Sequence, residues 1–222
     1  MDKELFAIQS IKQQGVLPLF FHADIAVCTE IIKTLYAAGI RCIEFTNRTD
    51  NALANFSEMI NARDNSMKDL LLGIGTIKSS KEASAFIDAG ADFLVSPFFD
   101  NEICDAAYMN KILWIPGCMT ATEIHTAQKA GCSLIKLFPG NVLGPSFVET
   151  VAPLFNGLDF MITGGVDATE ESIRAWFKAG ASAVGIGGKL VSKEVLEKKD
   201  YSGLSTKTKE LIEIAKKMKS AY

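Results

Sequence analysis

The chain has 222 residues, 48% of them hydrophobic and 22% charged, enough for one well-buried core and within the size range of a single barrel domain. Its 23 basic and 26 acidic side chains give a formal net charge of -3 without a basic tract, which argues against nucleic acid as a partner. Five cysteines, Cys28, Cys42, Cys104, Cys118 and Cys132, are never spaced C-x-x-C, which points to reduced thiols, and no apolar run approaches the ~18 residues of a membrane span.

The expectation is a cytoplasmic protein of one domain, residues 1–222, with no membrane partner. From the amino end, Met1-Asp2-Lys3-Glu4 leads into a polar amphipathic stretch, 5–14, read as an extra helix. A first apolar strand follows at Val16–Phe20, with His22 on the loop beyond it.

A repeated joint then organises the chain. Ala38-Gly39 closes an amphipathic stretch and precedes Ile-Arg-Cys-Ile-Glu-Phe, the second strand, and Ala89-Gly90 precedes Ala-Asp-Phe-Leu-Val, the fourth. Ala130-Gly131 precedes Cys-Ser-Leu-Ile-Lys-Leu-Phe, the sixth, and Ala179-Gly180 precedes Ala-Ser-Ala-Val-Gly-Ile, the eighth. Glycine after the last helical residue supplies a left-handed C-cap without steric cost, and each apolar run has the length of a buried parallel strand. Apolar runs at 70–75, 112–115 and Asp159–Thr163 supply the third, fifth and seventh strands, and 205–218 reads as a closing helix. Eight strands alternating with helices predict an α/β fold, a single (β/α)₈ TIM barrel with an extra N-terminal helix and a C-terminal helix. No G-x-G-x-x-G follows the first strand, which weakens a dinucleotide fold.

Pro and Gly cluster just past the strands, at Ser96-Pro97, Pro116-Gly117, Phe138-Pro139-Gly140, Gly164-Gly165 and Gly187-Gly188. In a barrel these positions form the C-terminal face, where active sites sit. On the sixth strand, alternation places Leu134, Lys136 and Phe138 on one face and Ile135 and Leu137 on the other. If Ile135 and Leu137 pack on helices, Lys136 faces the barrel interior, where an ammonium is costly and a free amine can attack a carbonyl. By itself Lys136 also suits an exposed strand edge. Glu44 changes the balance: it alternates with Cys42 and Thr46 on the second strand, and two opposite charges in one barrel are expensive to bury without each other or a substrate. Together they suggest a nucleophilic amine beside a proton-transferring carboxylate.

Arg48, by itself a surface arginine at a helix start, can from this position bind a carboxylate bidentately. Thr76, ending Gly73-Ile-Gly-Thr76, offers a hydroxyl and backbone N–H groups beside glycines.

In this order the residues resemble the family of 2-keto-3-deoxy-6-phosphogluconate and 4-hydroxy-2-oxoglutarate aldolases, over residues 15–193. The matching segments are Glu44-Phe-Thr-Asn-Arg48-Thr49, Gly73-Ile-Gly-Thr76, Ser96-Pro97, Ile115-Pro-Gly117 with Thr120 and Glu123, Lys136-Leu-Phe138-Pro139, Thr163-Gly-Gly165 and Gly187-Gly188. The resemblance implies a class I aldolase acting on a small-molecule 2-keto acid, without metal or cofactor, in a homotrimer. Lys136 is then the Schiff-base lysine and Glu44 the proton shuttle; Arg48 and Thr76 hold the substrate carboxylate, Phe138 packs on the pyruvyl group and Thr163 contacts the substrate. Pro97 completes the site, and the glycines Gly164, Gly165, Gly187 and Gly188, with Lys189, bind the substrate beyond the reacting carbons. Two segments depart from the common pattern: Pro139-Gly-Asn-Val-Leu-Gly-Pro145 after the sixth strand, and Lys189 where many members carry serine near a substrate phosphate. Both bear on which keto acid is used.

Other chemistries have less support in the residues. A metal-dependent aldolase needs a ligand cluster, whereas the only histidines, His22 and His125, have no paired spacing. Cys118 has no histidine placed by the sequence to activate it and reads as a packed thiol. A sugar-phosphate isomerase or epimerase, or a non-catalytic keto-acid-binding barrel, would share the fold without using an imine.

Overall fold

The structure, a computed structural model, describes residues 3–221, so Met1, Asp2 and Tyr222 of the expected domain lie outside the described residues. Helix α1 (Lys3–Gln14) precedes β1 (Val16–Phe20), α2 (Ile25–Ala37), β2 (Cys42–Thr46), α3 (Ala52–Ser66), β3 (Leu71–Gly75), α4 (Ser80–Asp88), β4 (Phe93–Val95) and α5 (Asn101–Asn110). Then come β5 (Leu113–Ile115), β6 (Gly117–Cys118), α6 (Ala121–Lys129), β7 (Leu134–Leu137), α7 (Gly140–Leu143) and α8 (Pro145–Val151). The chain continues through β8 (Asp159–Thr163), α9 (Glu170–Lys178), β9 (Ala183–Ile186), α10 (Lys193–Lys198) and α11 (Tyr201–Ala221).

All strand pairs are parallel, in the order β5-β4-β3-β2-β1-β9-β8-β7-β6. One end of that order, β5, falls on the predicted fifth strand and the other, β6, directly continues it past Pro116, so the sheet comes round into a nearly closed barrel. Pro116 is where it divides: proline has no N–H to give to a ladder. Ile115 on one side accepts a bond from Ser96 N (3.2 Å), while Pro116 and Cys118 accept bonds from Lys136 N (2.9 Å) and Phe138 N (3.1 Å). The predicted fifth strand thus extends beyond 115 in a second segment that carries the pairing to β7.

The four Ala-Gly joints form as their chemistry requires. Ala38, Ala89, Ala130 and Ala179 are right-handed C-caps, followed by glycines at φ +110°, +97°, +90° and +104°. At the opposite ends, Asp24, Ser79, Asp100, Thr120, Thr169 and Ser192 each accept a backbone N–H of the helix they open. The terminal helices run longer than the periodicity indicated, and α10 is a helix that it did not mark.

Alternation along the strands builds two apolar layers. Ile43, Phe45, Ile135 and Leu137 face the helical shell. Leu17, Cys42, Phe93, Leu134, Met161 and Ala183 point inward and form the barrel's own core. Ala7, Ile8 and Ile11 of α1 pack into that inner cluster, so the N-terminal helix plugs the barrel floor. The packing direction of Ile135 and Leu137 leaves the inward side of β7 to Leu134 and Lys136.

Candidate active site

Above the apolar floor the interior changes character. Lys136 on β7 is 6% exposed and Glu44 on β2 is 1% exposed. Lys136 Nζ lies 5.1 Å from the centroid of the Phe138 ring. Strand β7 ends at Leu137, so Phe138 stands just past it and closes over the lysine from the loop. Burial pushes the Glu44 carboxyl above the usual carboxylate range, and the positive charges of Lys136 and Arg48 oppose that rise. Both Glu44 carboxyl oxygens and Thr163 Oγ1 are buried without a hydrogen-bond partner among the described residues. Unpaired buried polar atoms cost free energy unless something else meets them. Their convergence in a barrel mouth marks a place for a polar ligand.

Glycines clear the space. A Cβ on Gly75 would sit 1.8 Å from Glu44 Oε1, and one on Gly185 would sit 2.6 Å from Thr163 Oγ1. Gly75 therefore sets the room that the carboxyl occupies. The next residue, Thr76, adopts φ +64°, a left-handed conformation uncommon for a β-branched residue. Such backbone strain concentrates at functional sites. Pro97 presses on the divided fifth strand, where a Cβ on Gly117 would meet its carbonyl oxygen at 2.3 Å. Gly164 and Gly165 carry φ of +92° and +74° and fold against the start of α7, with Asn141 N donating to Gly164 O at 2.9 Å.

A cavity of about 660 Å³ opens between the ends of β1, β2 and β9, and Thr46, Arg48, Thr49, Gly187 and Gly188 line it together with Lys193. Arg48 lies over the Phe21 ring at 5.4 Å, with no carboxylate in ion-pair distance among the described residues. The structure thus brings Glu44, Lys136, Phe138 and Thr163 to the barrel interior and Arg48, Gly187 and Gly188 to the adjoining mouth. Lys189 is not brought with them: its ammonium pairs with Asp167 at 2.9 Å, and it does not line the cavity.

His22 lies on the cavity wall, its Nδ1 accepting Asp24 N–H at 3.0 Å, while His125 is exposed on α6. No three His, Cys, Asp or Glu side chains group as metal ligands among the described residues. Cys118 is buried and its thiol is pushed up to about 12 by burial, which suits packing rather than nucleophilic attack.

Sequence reasoning missed the side chains that hold the loops. Asn55 is buried on α3 and its Nδ2 donates to His22 O (3.2 Å) and Ala23 O (2.9 Å); Asn51 adds a bond to Ala23 O (2.7 Å). The i, i+4 asparagine pair was the available signal, but its target is remote in sequence. Glu123, which the sequence did single out together with Thr120, accepts the N–H groups of Met119 and Thr120, both at 2.8 Å, fixing the loop after β6.

Residues 7–206 match the family model described as KDPG and KHG aldolase. The 2-dehydro-3-deoxy-phosphogluconate aldolase of Treponema pallidum (strain Nichols) is 31% identical over 159 residues, 71% of this chain and 74% of that protein. The KHG/KDPG aldolase of Escherichia coli (strain K12) is 28% identical over 211 residues, 94% of this chain and 96% of its own. Among solved structures, a KDPG aldolase from Legionella pneumophila, with pyruvate captured as a covalent carbinolamine, has a TM-score of 0.85 at 23% identity. That likeness covers 92% of this chain and 97% of the other, and it shows the fold.

Proposed function

The chain belongs to the KDPG and KHG aldolase family, and from that premise we propose that Lys136 and Glu44 carry out its class I aldol cleavage. The protein is an aldehyde-lyase that splits a 2-keto acid, either a 2-keto-3-deoxy-6-phospho-sugar acid or 4-hydroxy-2-oxoglutarate, into pyruvate and an aldehyde. The observation that supports the assignment is a buried lysine whose charge acts on a buried carboxyl, both oxygens of which lack a hydrogen-bond partner among the described residues.

Lys136 Nζ attacks C2 of the keto acid to give a carbinolamine, and loss of water leaves a protonated imine. A base then takes the proton of the C4 hydroxyl, the C3–C4 bond breaks, and its electron pair moves into the imine as an enamine while the aldehyde departs. Protonation at C3 and hydrolysis release pyruvate and restore the amine. Glu44 suits each proton movement, because burial raises its carboxyl above the usual carboxylate range and so strengthens its hold on a proton that it can still exchange with the substrate. Arg48 and Thr76 hold the substrate carboxylate, Phe138 and Pro97 flank the pyruvyl carbons, and Thr163 offers its unpaired hydroxyl. Gly164, Gly165, Gly187 and Gly188 leave backbone N–H groups open toward the far end, with Lys189 at the rim.

Incubation with pyruvate and borohydride is expected to label Lys136 irreversibly, since only an imine is reduced to a stable secondary amine. Peptide mass mapping locates the label. A label on another lysine, or continued cleavage by Lys136→Ala, rejects the nucleophile. An isomerase, or a binding barrel without turnover, would give no trapped adduct.

We also propose that residues 1–222 form one domain, that the protein assembles as a homotrimer, and that it works in the cytoplasm in carbohydrate metabolism. No helix among the described residues is long and apolar enough to cross a membrane. Light scattering coupled to gel filtration tests the trimer.

A further inference from the structure

Two thiols meet outside the barrel mouth. Cys104 stands near the start of α5, and Cys132 follows Gly131 in the turn that leads from α6 into β7. Both are free and half-buried, their side chains are hydrogen-bonded to each other, and neither lines the mouth cavity. They share instead one open pocket of about 60 Å³, beside Tyr108, Trp114 and Gly131. That volume exceeds what a single water needs, so a molecule the size of hydrogen peroxide can reach the sulfurs. A Cβ built on Gly131 would meet nothing within 4 Å, and Cys132 N donates to Ala127 O at 3.0 Å, so the turn is open outside and fixed within.

The pair lies across the seam of the barrel. Strands β5 and β6 are the two ends of the sheet order. Helix α5, with Cys104, leads into β5, whereas Cys132 leads into β7, which pairs with β6. A covalent bond between the sulfurs would tie the two sides together where the ladder stops. The two thiols also differ. Burial, then the neighbouring Cys104 thiol, pushes Cys132 up to about 12, so it keeps its proton and donates it to the Cys104 sulfur. Burial raises Cys104 too, and the bond from Cys132 opposes that rise.

We propose that Cys104 and Cys132 are a reversible oxidation site, at which a hydroperoxide forms an intramolecular disulfide that staples α5 to the entry of β7. The Cys104 thiolate attacks one oxygen of hydrogen peroxide and the O–O bond breaks, leaving a sulfenic acid on Cys104 and hydroxide, which takes up the thiol proton as water. The Cys132 sulfur then attacks the sulfenic sulfur. The S–S bond forms, the S–O bond breaks, and the hydroxyl leaves as water with the Cys132 proton. Two thiols are oxidised and one peroxide is reduced to two waters. A dithiol reverses the bond by exchange, so in a reducing compartment the staple is transient. Because burial holds both sulfurs as thiols, the first step is slow, and the staple forms under sustained exposure to peroxide. The proposal is independent of the aldol chemistry.

The test treats the pre-reduced full chain with hydrogen peroxide, quenches with catalase and digests without reductant. The peptides carrying Cys104 and Cys132 should appear joined, two hydrogens lighter than the separate peptides, and dithiothreitol should part them. The bond closes residues 104–132 into a loop, so Tm should rise by roughly 5–10 °C and return on reduction. The rate of pyruvate release should stay within about twofold, because the staple lies away from the mouth. Cys104→Ser and Cys132→Ser should each lose both the link and the Tm rise. The mapping and melting of the parent chain decide the matter even if a serine variant fails to fold.

Oxidation of Cys104 to sulfinic acid while Cys132 still accepts an alkylating agent overturns the proposal. A link from Cys132 to Cys118, or disulfides between two chains in place of the internal one, does the same. A mapped bond between Cys104 and Cys132 that leaves Tm unchanged or lowers it removes the staple, and a peroxide-induced Tm rise that persists in Cys104→Ser assigns the effect elsewhere.

Discussion

The lower and upper halves of the barrel interior are built by the same strands and behave as opposites. Below, Leu17, Cys42, Phe93, Leu134, Met161 and Ala183 pack with the plug of α1 into one apolar cluster. Above, the same alternation delivers Glu44, Lys136 and Thr163 to the interior, with Gly75 and Gly185 clearing space around them. Packing in one half stabilises the barrel, while the other half holds buried polar atoms without a hydrogen-bond partner among the described residues. The contrast teaches that a barrel can concentrate its stability at one end and its chemistry at the other, because a two-residue step along a strand moves a side chain from one layer to the next.

Phe93→Ala tests the lower half. It removes a fully buried ring from the inner cluster and is expected to cost about 3–5 kcal/mol of stability, read from urea midpoints. The ring also fills the space against which Gly73 is fitted, so no neighbouring Cβ stands ready to fill the gap. A loss below about 1 kcal/mol would mean that the floor is less tightly packed than its burial indicates.

Glu44→Gln tests the upper half. The change is nearly isosteric and removes the titrating proton, so kcat should fall by roughly 10²–10⁴-fold while borohydride trapping shows that the pocket survives. Activity within about twofold of the parent across the pH range would reduce Glu44 to an electrostatic companion of Lys136.

The same variant gives the smallest effect and the one that most directly separates the halves. Because the folded carboxyl is raised above 4.5, the native state holds its proton at pH values where the unfolded chain has released it. Rising pH then favours the unfolded state, and the stability given by the neutral carboxyl is lost between about pH 4.5 and the raised folded value. Glu44→Gln, which cannot ionise, should match the parent near pH 4 and become more stable than it as pH rises, by up to ~1.4 kcal/mol per pH unit. Thermal unfolding of both proteins from pH 4 to 8 measures the difference. A gap that closes or reverses with pH would show that Lys136 and Arg48 outweigh burial.

Much of this arrangement was legible residue by residue. A period of two put Lys136 opposite Ile135 and Leu137, so its inward direction was legible on the condition that those two pack on helices, and the structure meets that condition. Ala-Gly at four joints announced the left-handed glycines that end those helices. The division of the fifth strand was less visible: Pro116 signals a missing donor, but which neighbour each half joins depends on barrel closure. Lys189 was drawn toward the mouth by its adjacency to Gly188, whereas Asp167, on the preceding loop, holds it at the rim.

What the sequence determined by itself was therefore everything carried by local chemistry: strand and helix alternation, caps, and the face on which each strand residue lies, Glu44 and Lys136 included. Only the tertiary structure decided which polar atoms remain unpaired, which lysine is neutralised, and which is left free at the cavity. Those outcomes depend on distances between segments far apart in the chain. An ion pair such as Lys189 with Asp167, or an open wall bearing Lys193, exists only after closure has brought the loops of separate strands within reach of one another.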